Sequence, residues 1–562
     1  MDVHDQPTVA GSGDDEVTEK NLPTLPEPAS AQNVGASPRA KGMSRRKLFG
    51  LAALGAVGVG GVAAAGSFAL EKMRESTPGV VGNAEQIGHL LRRAGFGASQ
   101  TELATYASYG FSGAVDHLLN YQQVSDDAME QRLKALNLDM NKPQDQQRWW
   151  LLRMAWTQRP LLEKMTLFWH GVLTSSIRKV GGKEAYMRMI VQNQFLRAHA
   201  FDTFDNILLG ITGDPAMLFY LDLTKSRKNA PNENYARELM ELFTIGLGNY
   251  TQQDVHAAAL ALTGWHVQGK ASQARYSAHD HNTQAKTFLG QTGNLDYKDV
   301  VRILANHKAA PWFISRKLFT FFVYENPSTA DLQPLVDTYE KSGHSMREVM
   351  RTLLLSPQFS SAKAYRSRLK SPVEFTVGAL RSLNVQYSGA GLPAMTTAMG
   401  QTLFEVPNVA GWPGDKVSTL WMNSGTWMAR LNYIDTLLAG SKNATAKNAA
   451  GKKATAPAKN AQTSQNNQTG QNNQYSPLDL QGIINTNHID TPEHFVDYFA
   501  GFLLDGKLDA DRRTQLLTYF NSKDSKAVQA QQITLSGGKQ YPLSRVRGTL
   551  YLLMASPEYQ LN

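Results

Sequence analysis

From Glu85 onward, apolar residues recur every three to four positions, and almost no stretch keeps an apolar–polar alternation of period two. A helix-period pattern cannot settle as a sheet, because it would throw half of its apolar groups onto the wrong face. Short Pro and Gly signals separate one apolar run from the next. The predicted fold class is mainly α: a multi-helix array of packed helix hairpins with irregular loops and few or no strands.

The stretch richest in start and stop signals runs from Asp214 to Trp265. On a 3.6-residue wheel, Tyr235, Ala236, Leu239, Met240, Leu242 and Phe243 share one face, and Glu233, Asn234, Arg237, Glu238 and Glu241 share the other. Pro231 suits a first helical position, and Gly246 and Gly248 suit a stop. Thr251 and Asp254 have the spacing of a capping box that opens the next helix. The expectation is a helix hairpin with an acidic, amide-bearing outer face.

Other segments follow the same grammar. IGHLLRRAGFG (87–97) predicts a short helix carrying His89, Arg92 and Arg93 and ending at Gly95 and Gly97. A helix pair broken at Pro160 carries Trp149, Trp150, Trp156 and Trp169, which read as core, and His170, which reads as a core or capping histidine. The Gly- and Ser-punctuated segment 266–290 reads as loop or short strand and holds His266, His279, Asp280, His281 and Lys286. Trp265, Trp412 and Trp421 also read as core rather than as the lining of a groove. An Arg-bearing, Leu-rich run that ends in Ser-Pro-Glu/Gln-Phe/Tyr occurs in 346–361 and again in 544–562.

These signals divide the 562 residues as follows. Residues 1–43 are a disordered extension without apolar period. Residues 44–70 place Arg45-Arg46 before an uncharged Gly/Ala-rich run, which resembles a twin-arginine export signal, or an anchor if it is not cleaved. Residues 85–440 form the main helical domain, 441–475 a low-complexity surface insertion, and 476–562 the C-terminal helices that complete the same domain. The net charge is +9, but five lysines of 441–475 face no acid in that tract. The excess is thus not on a structured, aromatic-studded face, and nucleic acid is not an expected partner. The absence of Cys removes disulfides, thiolate nucleophiles and Cys-bound metals, so any metal must sit on His, Asp, Glu, Asn or backbone oxygen.

HLLRRAGFG (89–97), PLLEKMTLFWHG (160–171), DPAMLFYLD (214–222), PNENYARELMELFTIGLGNYTQQDV (231–255), ALTGW (261–265), HDHNTQAKTFLG (279–290), FISRKLFTFFV (313–323) and PNVAGWPG (407–414) together resemble the bacterial "domain of unknown function 1800" family. One departure is Asn282, where the family often has Gly two residues after the Asp of the His-Asp block. The resemblance implies a helical fold, twin-arginine export to the periplasm or cell envelope, and a neighbouring exported protein of an alkaline-phosphatase-like superfamily as a partner. It implies no activity.

Two chemical sites are candidates. Glu238 and Glu241, three apart on a helix, project together as carboxylates must to share a cation, and His279 and Asp280 offer further ligands for a divalent metal. Glu238, Glu241 and His279 are the matching catalytic candidates, with Asn232, Glu233 and Arg237 as the surrounding structural motif. No metal-binding or nucleophile template matches, so the same charges also read as an i,i+4 ladder. The second site is an anion pocket from Arg92, Arg93, Lys286 and Arg316, beside Lys317. Two functions follow: a partner or assembly factor for another exported protein, which the missing template favours, or a metal-dependent, hydrolytic periplasmic enzyme. A membrane tether through 48–70 accompanies either one if the signal is retained.

Overall fold

The structure is a computed structural model that describes residues 83–181, 184–269, 273–385, 387–439, 478–522 and 531–562. The segments 1–43, 44–70 and 441–475 lie outside the described residues. Among those described, 25 α-helices carry nearly all regular structure. The strands form three two-stranded antiparallel hairpins: Trp265–Gln268 with Gln273–Tyr276, Lys286–Phe288 with Gln291–Gly293, and Gln532–Thr534 with Gln540–Pro542. The fold is mainly α, as the periodicity requires. One continuous apolar cluster runs from Ile87 to Tyr559.

Pro143 and Pro160 each open a helix, Pro143–Trp156 and Pro160–Val172, where a missing N–H leaves no bond unmade. Trp150 and Trp169 are fully buried. Burying an indole of ~150–250 Å² is worth roughly 4–6 kcal/mol, against about 0–1 for a surface ion pair, so these two side chains dominate the local energetics. The Trp150 Nε1–H donates to Glu163 Oε2 at 2.9 Å, and Arg197 grips both oxygens of Glu163 at 2.6 and 2.9 Å. Burial opposes ionisation of Glu163, but Arg197 and Arg153 outweigh it and hold the carboxyl below its ordinary range. His170 is a core histidine whose Nε2 accepts the Phe404 N–H at 3.1 Å, and burial pushes it down to about 3, so it stays neutral.

The central segment departs from a uniform helix. Asn234–Glu238 is α-helical, and Leu239–Thr244 widens into a π-turn. Ile245 N–H donates to Met240 O at 2.9 Å, and the Thr244 hydroxyl to Leu239 O at 2.6 Å, both reaching back five residues. The wider turn rotates the expected face: Thr244 is buried and Leu242 is only half-buried. The capping box forms as its spacing requires. Thr251 N–H donates to Asp254 Oδ2 at 2.8 Å, and Asp254 N–H to Thr251 Oγ1 at 3.2 Å.

The C-terminal residues are tied directly into this body. Lys370 N–H donates to Gln560 O and Asn562 N–H to Arg368 O, both at 2.8 Å. The repeated Ser-Pro pattern makes the same turn twice. The Ser356 hydroxyl accepts from Phe359 N–H and the Ser556 hydroxyl from Tyr559 N–H, which buries an aromatic ring each time.

Candidate functional site

A cleft of about 570 Å³ lies between the helix Ala310–Phe322 and the segment Gly411–Val417. Its first wall is fixed from behind. Arg93 is buried, with Nε donating to Phe322 O at 3.0 Å and Nη2 to Phe321 O and Val323 O at 3.0 and 3.2 Å. It thus caps the carboxyl end of the helix, where a cation complements the unpaired carbonyls. The second wall is clamped by Arg368, which donates to Asp415 O at 2.8 Å, and by Glu325, which accepts the N–H and hydroxyl of Ser418, both at 2.7 Å.

Two glycines explain the motif Gly-Trp-Pro-Gly. Gly411 has φ of +89°, and a Cβ there would sit 2.4 Å from Gly171 O. At Gly414 a Cβ would sit 2.3 Å from the Trp421 ring. Only glycine lets the backbone approach this closely. Pro413 then starts the short helix Pro413–Lys416, which delivers Asp415 and Lys416 to the cleft.

Phe168, Trp312, Phe313 and Trp412 supply aromatic surface, and Arg316, Lys317, Asp415 and Lys416 supply charge. Burial pushes the Asp415 carboxyl up to about 7 against the opposing pull of Arg368. Burial pushes the Lys317 amine down to about 8, helped by Lys416 and resisted by Asp415. Neither side chain has an ion pair within 4.0 Å among the described residues; Lys317 Nζ lies 4.9 Å from the centre of the Phe313 ring. An apolar cleft with a few convergent polar groups of shifted protonation is the usual form of a small-ligand site.

Apart from Arg316 and Lys317, the charged residues singled out in the sequence lie outside the lining of this cleft. Glu238 and Glu241 are neighbours: burial first and Glu241 second raise Glu238 above its ordinary value, and Tyr250 donates its hydroxyl to Glu241 at 2.6 Å. His279 is exposed and bonds Asp280 at 3.2 Å, while Asp280 also meets His266 Nε2 at 2.9 Å. Among the described residues, no three His, Asp or Glu side chains gather as a metal ion requires. Glu238 with Glu241 and His279 with Asp280 therefore stand as two pairs with different neighbours.

Asn232, Glu233 and Arg237 hold the hairpin together. Asn234 N–H donates to Asn232 Oδ1 at 3.0 Å, and Glu233 accepts from Gln252 at 2.8 Å, His256 at 3.2 Å and Arg237 at 3.5 Å. The ladder is therefore broken at Glu241, which turns to Tyr250.

Three of the four anion-pocket residues are taken up by protein acceptors. Arg92 pairs with buried Asp505 at 2.5 Å, Arg93 caps the helix, and Lys286 donates to Asn282 O, Gln284 O and Leu295 O at 2.7–3.0 Å. Arg316 alone reaches the cleft, together with Lys317. Asp415, Lys416 and Trp412 complete it. Their sequence signal is the block ending in Gly-Trp-Pro-Gly, which directly precedes Asp415.

Fold and site define a class: a mainly α-helical protein with a cationic, aromatic cleft at its surface. The family described as "Protein of unknown function (DUF1800)" matches residues 89–561, and the chain belongs to it. Neither the curated proteins nor the solved structures contain a significant match.

Proposed function

We propose that this chain is exported through its twin-arginine segment, 44–70, and works in the periplasm or cell envelope as a binding or assembly partner for another exported protein. The mouth of the cleft is the face that receives it. The observation that supports this reading is apolar exposure at that mouth. Val417, which lines the cleft, is 44% exposed; Leu420, three residues further along the chain, is 59% exposed, and Leu247, between the cleft-lining Ile245 and Asn249 in sequence, is 74% exposed. These are three of the eight exposed large apolar side chains among the described residues. Single exposed apolar residues are ordinary, but three on the two chain segments that supply lining residues to one concavity support a surface that another molecule covers. The alternative, a metal-dependent hydrolase acting through Glu238, Glu241, His279 and Asp280, is supported by the raised carboxyl of Glu238 alone.

The test is affinity capture from the periplasmic fraction of cells producing the full chain, beside the double variants Arg45→Lys/Arg46→Lys and Leu247→Asp/Leu420→Asp. The expected result is no periplasmic protein from the first variant, and folded periplasmic protein that has lost one specific companion from the second. A companion retained by Leu247→Asp/Leu420→Asp would count against the cleft mouth.

A further inference from the structure

The interior of the cleft poses a charge problem that its apolar mouth does not. Arg316, Lys317 and Lys416 bring three cationic side chains to one concavity, and Asp415 is the single acid among its lining residues. Elsewhere in this protein, buried cations have close carboxylates or carbonyls. Arg92 and Arg366 share Asp505, Lys164 pairs with Glu374, and Lys370 donates to Tyr559 O at 2.7 Å. Lys317 has no such acceptor among the described residues, and Arg316 has a single 3.3 Å bond to Pro327 O. Lys317 is half-buried and Arg316 and Lys416 are exposed, so their cationic groups remain open to an anion that would complete their shells. The surrounding Trp312, Phe313, Phe168 and Trp412 offer ring faces for an apolar body. The volume lies within the ~300–1,000 Å³ typical of pockets for small organic ligands.

We propose that the cleft is a binding site for a small amphiphilic anion, an organic acid with an aromatic or acyl body, whose head group sits on Lys317, Lys416 and Arg316 while its body lies against Trp312, Phe313 and Trp412. This site concerns the interior of the cleft and does not depend on the partner reading of its mouth. A carboxylate placed there favours the charged form of Lys317 and the neutral form of Asp415. The other charged groups acting on these two are Lys416, Arg368, Glu374 and Lys164. Binding therefore takes up protons, and affinity rises as pH falls from about 9 to about 6.

The test uses the full chain and 8-anilinonaphthalene-1-sulfonate as the fluorescent probe, with dodecanoate, dodecylammonium and an acetylated Asp-Phe-Asp peptide amide as competitors. The expected result is one probe per chain, displaced by dodecanoate and not by dodecylammonium, and bound more tightly at the lower pH. Lys317→Met weakens the probe about ten- to a hundredfold, the worth of one charge-assisted hydrogen bond. Exposed Lys416→Met weakens it less and keeps the test decisive should Lys317→Met fold poorly, while Lys341→Met, far along the chain on the helix Thr329–Lys341, changes nothing. Displacement by dodecylammonium as readily as by dodecanoate, equal affinity in Lys317→Met or Lys416→Met, or no binding at all overturns the proposal. Displacement by the peptide alone overturns it too, and assigns the cleft to a segment of the partner.

Discussion

Replacing Asp505 by Asn removes one negative charge from a tightly enclosed ion cluster. Its carboxylate is 3% exposed and receives Arg92 at 2.5 Å, Arg366 at 3.1 Å and the Tyr365 hydroxyl at 2.5 Å. Asn preserves the volume and one acceptor but leaves two buried guanidiniums without a counter-charge. Breaking a buried pair in this way costs about 3–5 kcal/mol. At ~2.1 cal/mol/K per residue, the unfolding entropy of a body this large is roughly 1 kcal/mol/K, so Tm falls by about 3–5 °C if the body melts as a unit. The control is Asp497→Asn, which loses an exposed pair with Arg513 and is expected to cost less than ~1 kcal/mol. The pH dependence has a definite sign. Burial opposes ionisation of Asp505, but Arg92 and Arg366 hold its carboxyl far below the usual range. Its contribution is therefore complete above the unfolded value of ~3.9 and is lost as pH falls through the depressed one, a slope that Asp505→Asn lacks. Thermal unfolding followed by circular dichroism, with hydrogen exchange over the helix Asn83–Arg93, reads both effects. Equal Tm losses for Asp505→Asn and Asp497→Asn would refute the reasoning.

Three further outcomes are expected. Asp214 is buried and pushed up to about 7 by burial, so its contribution to stability is fully present below ~3.9 and is lost as pH rises through about 7; in Asp214→Asn, which keeps an acceptor for Gln192 and Met217, that slope disappears from denaturation curves taken at pH 5 and pH 8. Gly411→Ala forces a methyl group to 2.4 Å from Gly171 O at a φ of +89°, so it destabilises by about 2–4 kcal/mol and alters tryptophan emission, whereas Gly290→Ala, with open space around it, shows only the milder strain of a positive φ. Elemental analysis of the purified full chain is expected to find no stoichiometric metal held by Glu238, Glu241, His279 and Asp280, and chelation to leave Tm unchanged, since no three His, Asp or Glu side chains gather among the described residues; a metal lost in Glu238→Ala and His279→Ala would overturn that expectation.

Local features were readable from the sequence, and long-range ones were not. The break at Pro160, the burial of Trp150 and Trp169 and the capping box of Thr251 and Asp254 all depend on residues a turn or two apart, and the structure contains each of them. The π-turn over Leu239–Thr244 escaped the helical wheel because its hydrogen bonds reach back five residues, a choice the 3.6-residue pattern does not encode. The cleft was legible only in part, for a different reason. The sequence grouped Arg92, Arg93, Lys286 and Arg316 with Lys317 as one anion pocket, but spacing does not show which of these cations share a site. Only the fold sets Arg93 against the end of the helix Ala310–Phe322, more than two hundred residues away, and brings Asp415 to its other side. The sequence offered Glu238 with His279 because both lie in charged, motif-rich blocks, yet adjacent blocks need not place their side chains on one site.

The central claim is that the mouth of the cleft is the working surface, and site-specific photo-crosslinking tests it most directly. A photoreactive side chain at Leu247 or Leu420, in the full chain produced in living cells, is predicted to give one discrete adduct with another protein. The same group at Met187 or Leu355, exposed apolar positions outside the segments 245–249 and 417–420 that flank the cleft, is predicted to give none. Adducts from Met187 or Leu355 with none from Leu247 or Leu420 would contradict the account.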